Sequence, residues 1–349
     1  MPTELVMTHE AVPRFFGRLI EQGPVMGPKE RRRQPGYYQF DWLGSADELV
    51  LEYQTTTIPP KKAFFPPRDV LFDFELTNPP KFTAERATEP FMLDGVHPCD
   101  LEALRLLDDA YAREPAEACW PANRARARVI GVDCQPDEYC FCLSTESCHS
   151  RAICDLFLTP IERGYLVEVL SGAGEEMLRV SDVTEATDED RARAQQFRED
   201  KAAGMTAKLD ATPAELADIL EQSDLTELWH EISDRCYSCG SCNTTCPTCF
   251  CFDINDEFDL GLTAGQRVRS WDSCQLAEFA LVAGGHNFRR LRWQRVRHRW
   301  HRKFAYLYRT FGSSYCTGCG RCSRACTADI NIADVTNQAI ARARQGVQE

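Results

Sequence analysis

The chain has 349 residues, 43% hydrophobic and 27% charged, with a formal net charge of −13. That length fits about two domains, each with its own core. The acidic balance excludes a general nucleic-acid binder, because phosphates would be repelled over most of the surface. No apolar run reaches the roughly 18 residues needed to span a bilayer, so no membrane span is expected. The opening "MPTELVMTHEAVPRFFGRLIEQG" lacks a basic segment followed by an apolar one, so the expected location is cytoplasmic. Thiols stay reduced there, and the 18 cysteines are expected to be ligands rather than disulfides.

In chain order, residues 1–35 read as a short helix and a Gly/Pro/Arg-rich connector, "GPVMGPKERRRQPG". Residues 37–76 are strand-like, in "YYQFDWL", "ELVLEYQTTT" and "DVLFDFEL", with Pro-Pro pairs between them. "CDLEALRLLDDAYA" (99–112) spaces Leu101, Leu104, Leu107 and Tyr111 as a helix. "ARVIGVDC" (127–134) and "YLVEVLSG" (165–172) read as strands. The charged stretch 175–210 reads as a linker or surface helix. The second half reads as helical. "TPAELADILEQ" opens on a capping box, with Thr212 as N-cap, Pro213 at N1 and Glu215 at N3. "IADVTNQAIARARQ" is a further helix candidate. The fold class is therefore α+β: a mixed α/β domain over 1–200, then an all-helical ferredoxin-like domain over 201–349.

The densest chemistry is "CYSCGSCNTTCPTCFC" (236–251) and "CTGCGRCSRAC" (316–326). Cys236, Cys239, Cys242 and Cys246 are spaced C-x2-C-x2-C-x3-C and followed by Pro247. Cys316, Cys319, Cys322 and Cys326 repeat the spacing, with Thr327 in place of proline. This is the run that holds [4Fe–4S] clusters in bacterial ferredoxins. Three thiolates two residues apart wrap one cube, while the fourth, expected at the start of a helix leading away, serves the neighbouring cube. One cluster is thus assigned to Cys236, Cys239, Cys242 and Cys326, and a second to Cys316, Cys319, Cys322 and Cys246. Structural zinc is the competing reading, but zinc sites use two CxxC pairs with a longer gap between them. The separation of about seventy residues between the two runs resembles the all-helical dicluster domains of succinate-dehydrogenase-like iron–sulfur subunits and heterodisulfide reductase small subunits.

The chain also resembles one family in particular, which unites the dicluster iron–sulfur subunit of anaerobic sulfite reductase with the beta subunits of cytoplasmic sulfhydrogenases (NAD(P)-linked nickel–iron hydrogenases). The likeness rests on "CGSCNTTCPTCFC", "RSWDSC" (269–274), "AGGHNFR" (283–289), "CTGCGRC", "CDLEAL" (99–104) and "CFCLS" (140–144). It covers roughly residues 65–335, and the first sixty residues carry no matching motif. The resemblance implies an iron–sulfur electron-transfer subunit between a flavin/NAD(P)-binding subunit and a hydrogenase or sulfite reductase catalytic subunit. A stand-alone ferredoxin-like carrier is the other reading, against which the large first domain speaks.

Cys99, Cys134, Cys140 and Cys142 fall within or beside those family-like motifs. Drawn from a helix start, a strand end and a CxC loop, they could ligate a third [4Fe–4S] cluster. Buried free cysteines also occur as small hydrophobes, and Cys119, Cys148 and Cys154 are read that way. Cys249, Cys251 and Cys274 are extra to both ferredoxin runs and are read as packing residues or donors to cluster sulfur. "RRLRWQRVRHRWHRK" (289–303) carries eight Arg or Lys in fifteen residues, with Trp293, Val296, Trp300, Phe304 and Leu307 on one helical stripe. It is read as a solvated basic face or as positive charge beside an anionic cluster or acidic partner; nucleic-acid binding is the weaker alternative. His286, His298 and His301 are read as surface or core histidines. No GxGxxG after a strand, no P-loop and no nucleophile elbow is present. The flavin and nicotinamide sites are therefore expected on another chain, with no catalytic residue in this one.

Overall fold

The computed structural model describes residues 3–84, 88–115 and 117–346. Its strands, in chain order, are β1 (Thr3–Thr8), β2 (Val25–Arg31), β3 (Gln34–Trp42), β4 (Arg68–Glu75), β5 (Lys81–Thr83), β6 (Phe91–Val96), β7 (Ala127–Val132), β8 (Leu156–Ile161), β9 (Gly164–Val169), β10 (Val183–Glu185), β11 (Phe252–Phe258) and β12 (Ala264–Trp271).

The strands of the first half build a large sheet and contribute β4 and β5 to a small one. The large sheet has the order β10-β1-β9-β8-β7-β6-β2-β3. The pairs β2/β6, β6/β7 and β7/β8 are parallel and the remainder antiparallel. All six residues of β6 are buried, as expected of a central strand covered on both faces. On one side the helix Pro98–Tyr111 buries Leu101, Leu104, Leu107 and Tyr111, and the helix Ala11–Gln22 buries Phe15, Phe16 and Leu19. On the other side Ala194 of the helix Asp188–Ala203 packs with Val6, Ile161 and Leu166. A Thr187–Asp190 capping box starts that helix. The segment that reads as linker or surface helix thus covers the sheet by one narrow stripe, and it ends with Lys201 buried against Asp133 at 2.6 Å.

Three expectations need correction. The Gly/Pro/Arg-rich "connector" is β2 and the start of β3. Pro28 is tolerated because it lies beyond Met26, the last β2 residue paired with β6, where no neighbouring strand needs its missing N–H; its carbonyl accepts from Val50 N at 2.8 Å. "ELVLEYQTTT" is not a strand; after the short helical turn Ala46–Glu48 it makes only a bridge from Thr56 to Tyr38. The 201–349 half is not all helical. It carries β11 and β12, and β12 pairs with β4 from the first half in a second sheet, β11-β12-β4-β5. Every residue of β11 is exposed, so it lacks the alternation that marks a half-buried strand.

The rest of that half packs as helices. Leu216, Leu220, Leu228, Trp229 and Ile232 meet Val296, Trp300, Phe304, Val335 and Ile340 in a separate core. The helix Pro213–Gln222 starts as its sequence predicts: Glu215 N donates to Thr212 Oγ1 at 3.3 Å, and Thr212 N donates to Glu215 Oε2 at 2.8 Å. The helix Ile332–Gly346 is also present. Among the described residues no helix is long and apolar enough to cross a membrane.

Candidate metal centres

The two cysteine runs fold alike because the same positions carry the same backbone demands. After the second cysteine of each, a glycine in the left-handed region (Gly240, φ 81°; Gly320, φ 70°) opens a four-residue helix, Ser241–Thr244 or Arg321–Arg324. The residue before that cysteine is also left-handed: Ser238 (φ 55°) in the first run and Gly318 (φ 61°) in the second. The difference is steric. A Cβ on Gly318 would lie 2.5 Å from the Cys142 amide nitrogen, so only glycine lets the second run press against the CxC loop. Phe141 N donates to Gly318 O across that contact at 2.8 Å. The fourth cysteines depart from expectation. Cys246 opens a tight turn, closed by Cys249 N donating to Cys246 O at 3.3 Å, and Cys326 lies six residues before the helix Ile332–Gly346.

Around these turns the cysteines ring two adjoining cavities. Cys236, Cys239, Cys242 and Cys326 line the first, with Arg299 and Cys322 also in its wall. Cys316, Cys319, Cys322 and Cys246 line the second, which also meets Arg299 and Lys303. The fourth cysteine of each run therefore faces the other run's triplet. Amide groups point at sulfur here: Ser238 N lies 3.3 Å from Cys236 Sγ, and Ile330 N lies 3.4 Å from Cys326 Sγ.

Cys99, Cys134, Cys140 and Cys142 line a third cavity together with His97, Lys201 and Cys319. Cys99 follows β6 and Cys134 follows β7, which are neighbouring parallel strands. The cavity thus sits at the carboxyl ends of parallel strands, where open α/β sheets place their ligands. Cys319 lines both the second and third cavities. A buried bidentate pair ties the two regions together: Arg321 donates to Asp100 at 2.7 and 2.6 Å, and also to Thr56 O at 2.8 Å.

The donor chemistry fits an iron–sulfur group at each cavity. Burial pushes the Cys242, Cys134 and Cys140 thiols up to about 12 and Cys319 to about 11, so without a metal they keep their protons near neutrality. A thiophilic metal replaces those protons. Among the described residues no three His, Cys, Asp or Glu side chains converge to hold a single metal ion; these cysteines surround voids instead. Arg299 and Lys303 are both buried, and the anionic partners around each are cysteines, not carboxylates. An uncompensated buried cation is costly, and a thiolate-ligated cluster would supply the missing negative charge.

The basic stretch divides as its two main readings suggest. Arg290, Arg292 and Arg297 face solvent, while Val296, Trp300, Phe304 and Leu307 are buried. Arg299 and Lys303 turn toward the cavities, Lys303 from the wide π turn Arg302–Tyr306 that continues the helix Arg292–His301. His301 is buried, His298 half-buried and His286 exposed. Arg295 stitches neighbouring loops together by donating to the carbonyls of Gln275, Arg289 and Arg290.

The remaining cysteines are not idle in their contacts. Cys148 hydrogen-bonds Cys142, which brings its thiol down to about 7. Cys154 is buried in the main core and Cys119 starts a short helix. Cys249, Cys251 and Cys274 cluster with Cys246. Spacing alone assigns neither the buried cations nor this thiol cluster to particular residues; the clue in sequence is only that "CPTCFC" and "RSWDSC" hold more cysteines than two ferredoxin runs need.

Residues 235–330 match the family model of the 4Fe-4S dicluster domain. The sulfhydrogenase 2 subunit beta of Pyrococcus furiosus is 37% identical over 331 residues, which cover 94% of this chain and 96% of that protein. With likeness of that extent running through both cysteine runs and the sheet that carries Cys99 and Cys134, the chain belongs to the 4Fe–4S dicluster family of the sulfhydrogenase beta subunits.

Proposed function

We propose that this chain is the electron-transfer subunit of a cytoplasmic NAD(P)-linked oxidoreductase complex of the hydrogenase type. It passes electrons between a flavoprotein subunit and a catalytic subunit. Residues 1–200 and 201–349 act as its two units, the first holding a third centre on Cys99, Cys134, Cys140 and Cys142, the second holding two on the ferredoxin runs. The observation that carries this reading is that the three cysteine-lined cavities adjoin. The first and second share Cys322 and Arg299, and the second and third share Cys319. Sites in series, each touching the next, suit relay rather than turnover.

When bound, [4Fe–4S] clusters supply reversible one-electron chemistry. The chain's residues do the rest. Arg299 and Lys303 offset the charge that reduction adds, and the amides of Ser238 and Ile330 hold sulfur ligands in place. Cys239 is exposed, and Tyr237 beside it is 71% exposed, so the first cavity is the end that meets a partner. The name of the Pyrococcus furiosus relative favours a hydrogenase over a sulfite reductase as the catalytic partner.

Affinity purification of the tagged chain from its own cells, kept anaerobic, tests this. The expected co-purifying chains are a flavoprotein with a nicotinamide site and nickel–iron hydrogenase subunits. A sirohaem sulfite reductase subunit would transfer the reading to the other branch of the family. Recovery of the chain alone would overturn the complex and leave a free carrier.

A further inference from the structure

Beside Cys246, which lines the second cavity, three cysteines take no part in the three ligand sets. Cys249, Cys251 and Cys274 are 6%, 7% and 3% exposed and lie in contact with Cys246. The Cys251 side chain neighbours both Cys249 and Cys274. The three do not close on a point where one metal ion would sit; Cys251 is the shared, central sulfur of a row.

This row is built by the fold rather than left over from packing. Cys249 and Cys251 lie on the segment leading into β11, and Cys274 follows β12. The pairing of Phe252 with Trp271, and the hydrogen bond from Asp272 N to Cys251 O at 3.0 Å, hold the two segments side by side. Donors and charge then converge on the sulfurs. Asn243 Nδ2 lies 3.0 Å from Cys274 Sγ. Lys61, 2% exposed, donates to Cys249 O at 2.5 Å and sits 4.3 Å from the Trp271 ring. Lys303 donates to Thr248 Oγ1, next to Cys249 in the chain, at 2.7 Å. Lys61 lies outside the lining of all three cavities. Thiols acting only as small hydrophobes would not need an amide donor on the Cys274 sulfur and a lysine held against the Cys249 carbonyl.

We propose that Cys249, Cys251 and Cys274 form a redox-active thiol relay, in which Cys251 makes a disulfide with either neighbour and so stores two electrons beside the second cavity. In the oxidising direction one S–S bond forms, two S–H bonds break, two protons pass to water and two electrons leave. The acceptor is a one-electron centre of the iron–sulfur class, reached through Cys246 one electron at a time; this clause rests on the reading of the second cavity given above. Because Cys251 touches both partners, attack by the third thiolate on the disulfide moves the bond from Cys249–Cys251 to Cys251–Cys274 without further oxidation.

The test uses the full-length iron-loaded chain, purified anaerobically and poised with mediators at a series of potentials. Each sample is acid-quenched and denatured, and free thiols are blocked with a light alkylating reagent. Disulfides are then reduced and labelled with a heavy reagent, and peptides are read by mass spectrometry. The expected result is that Cys251 and one neighbour exchange light for heavy label together, along a two-electron Nernst curve. Cys251→Ser is expected to abolish the heavy label on both Cys249 and Cys274. Cys249→Ser is expected to leave the Cys251–Cys274 couple. Light label on all three cysteines of the parent at every potential overturns the proposal. So does a Cys251→Ser variant that loses iron, since Cys251 would then be a metal ligand. Iron and sulfide are measured on the same samples. A parent chain without iron sinks the relay of clusters but not the thiol couple, which the mediators still address.

Discussion

Arg299→Gln isolates the electrostatic part of the reading. Arg299 is 4% exposed, lines both the first and second cavities, and donates to the Cys242 carbonyl at 3.3 Å. Its Nε has no hydrogen-bond partner among the described residues. A guanidinium so placed interacts with the charge that reduction adds on either side of it. At a separation of about 8 Å and an effective permittivity of about 20, one unit charge is worth about 2 kcal/mol. For a one-electron couple, where a tenfold change corresponds to about 59 mV, that is roughly 90 mV. The sign is fixed: positive charge favours the reduced state, so its removal lowers both potentials. Arg299→Gln is expected to move the two ferredoxin-run centres down by roughly 50–100 mV. Arg299→Lys, which keeps the charge, should move them much less. The assay is a potentiometric titration followed by electron paramagnetic resonance, with iron content checked beforehand. Because the group is buried, the shift should persist at high ionic strength. A Gln variant with full iron whose two potentials match the parent's refutes the idea that the buried cation serves the clusters.

Metal content separates two centres from three: the anaerobic protein should hold about twelve iron and twelve labile sulfides, against about eight if the Cys99 group binds nothing. Cys99→Ser should then lose up to about four iron, and a variant with undiminished iron would remove the third centre. Ligand exchange predicts that Cys246→Ala damages the centre of Cys316, Cys319 and Cys322, and Cys326→Ala that of Cys236, Cys239 and Cys242; paramagnetic resonance of each variant, paired with a substitution in one triplet, shows whether each run instead keeps its own cube. Asp100→Asn strips the counter-charge from Arg321, which is 2% exposed, and should cost about 3–5 kcal/mol in anaerobic denaturant unfolding; a loss below about 1 kcal/mol contradicts the buried pair's role. Burial, then Arg297, pushes His301 down to about 4 from 6.5. The unfolded chain therefore takes up that proton first, and its contribution to stability, complete above about 6.5, is lost as pH falls toward 4. His301→Asn should flatten that part of the melting-temperature profile, and an unchanged slope would exclude the residue.

What the sequence determined by itself is local. The two C-x2-C-x2-C-x3-C runs, the helix through Leu101, Leu104 and Leu107, the strands after Ala127 and Gly164, and the Thr212 capping box are all written within a few residues of one another. Their physics is equally short-range: turn geometry, helical period and end-capping. Cys99 and Cys134 could be singled out as thiols, but what brings them to one cavity is the parallel pairing of β6 with β7. Tertiary structure also decided what no periodicity carries. β11 is exposed on both faces and shows no alternation, yet it exists because β12 pairs with β4 and Arg269 bonds Asp69 at 2.6 Å, two hundred residues away in sequence. The same hairpin sets Cys251 beside Cys274. The basic helix shows the limit most plainly. Its eight cationic side chains look alike in sequence, but whether a cation is a solvated charge, as at Arg297, or a buried one between two sulfur-lined cavities, as at Arg299, depends on which face the surrounding core covers. The energy of a charge is set by its surroundings, and those are assembled from residues far apart in the chain.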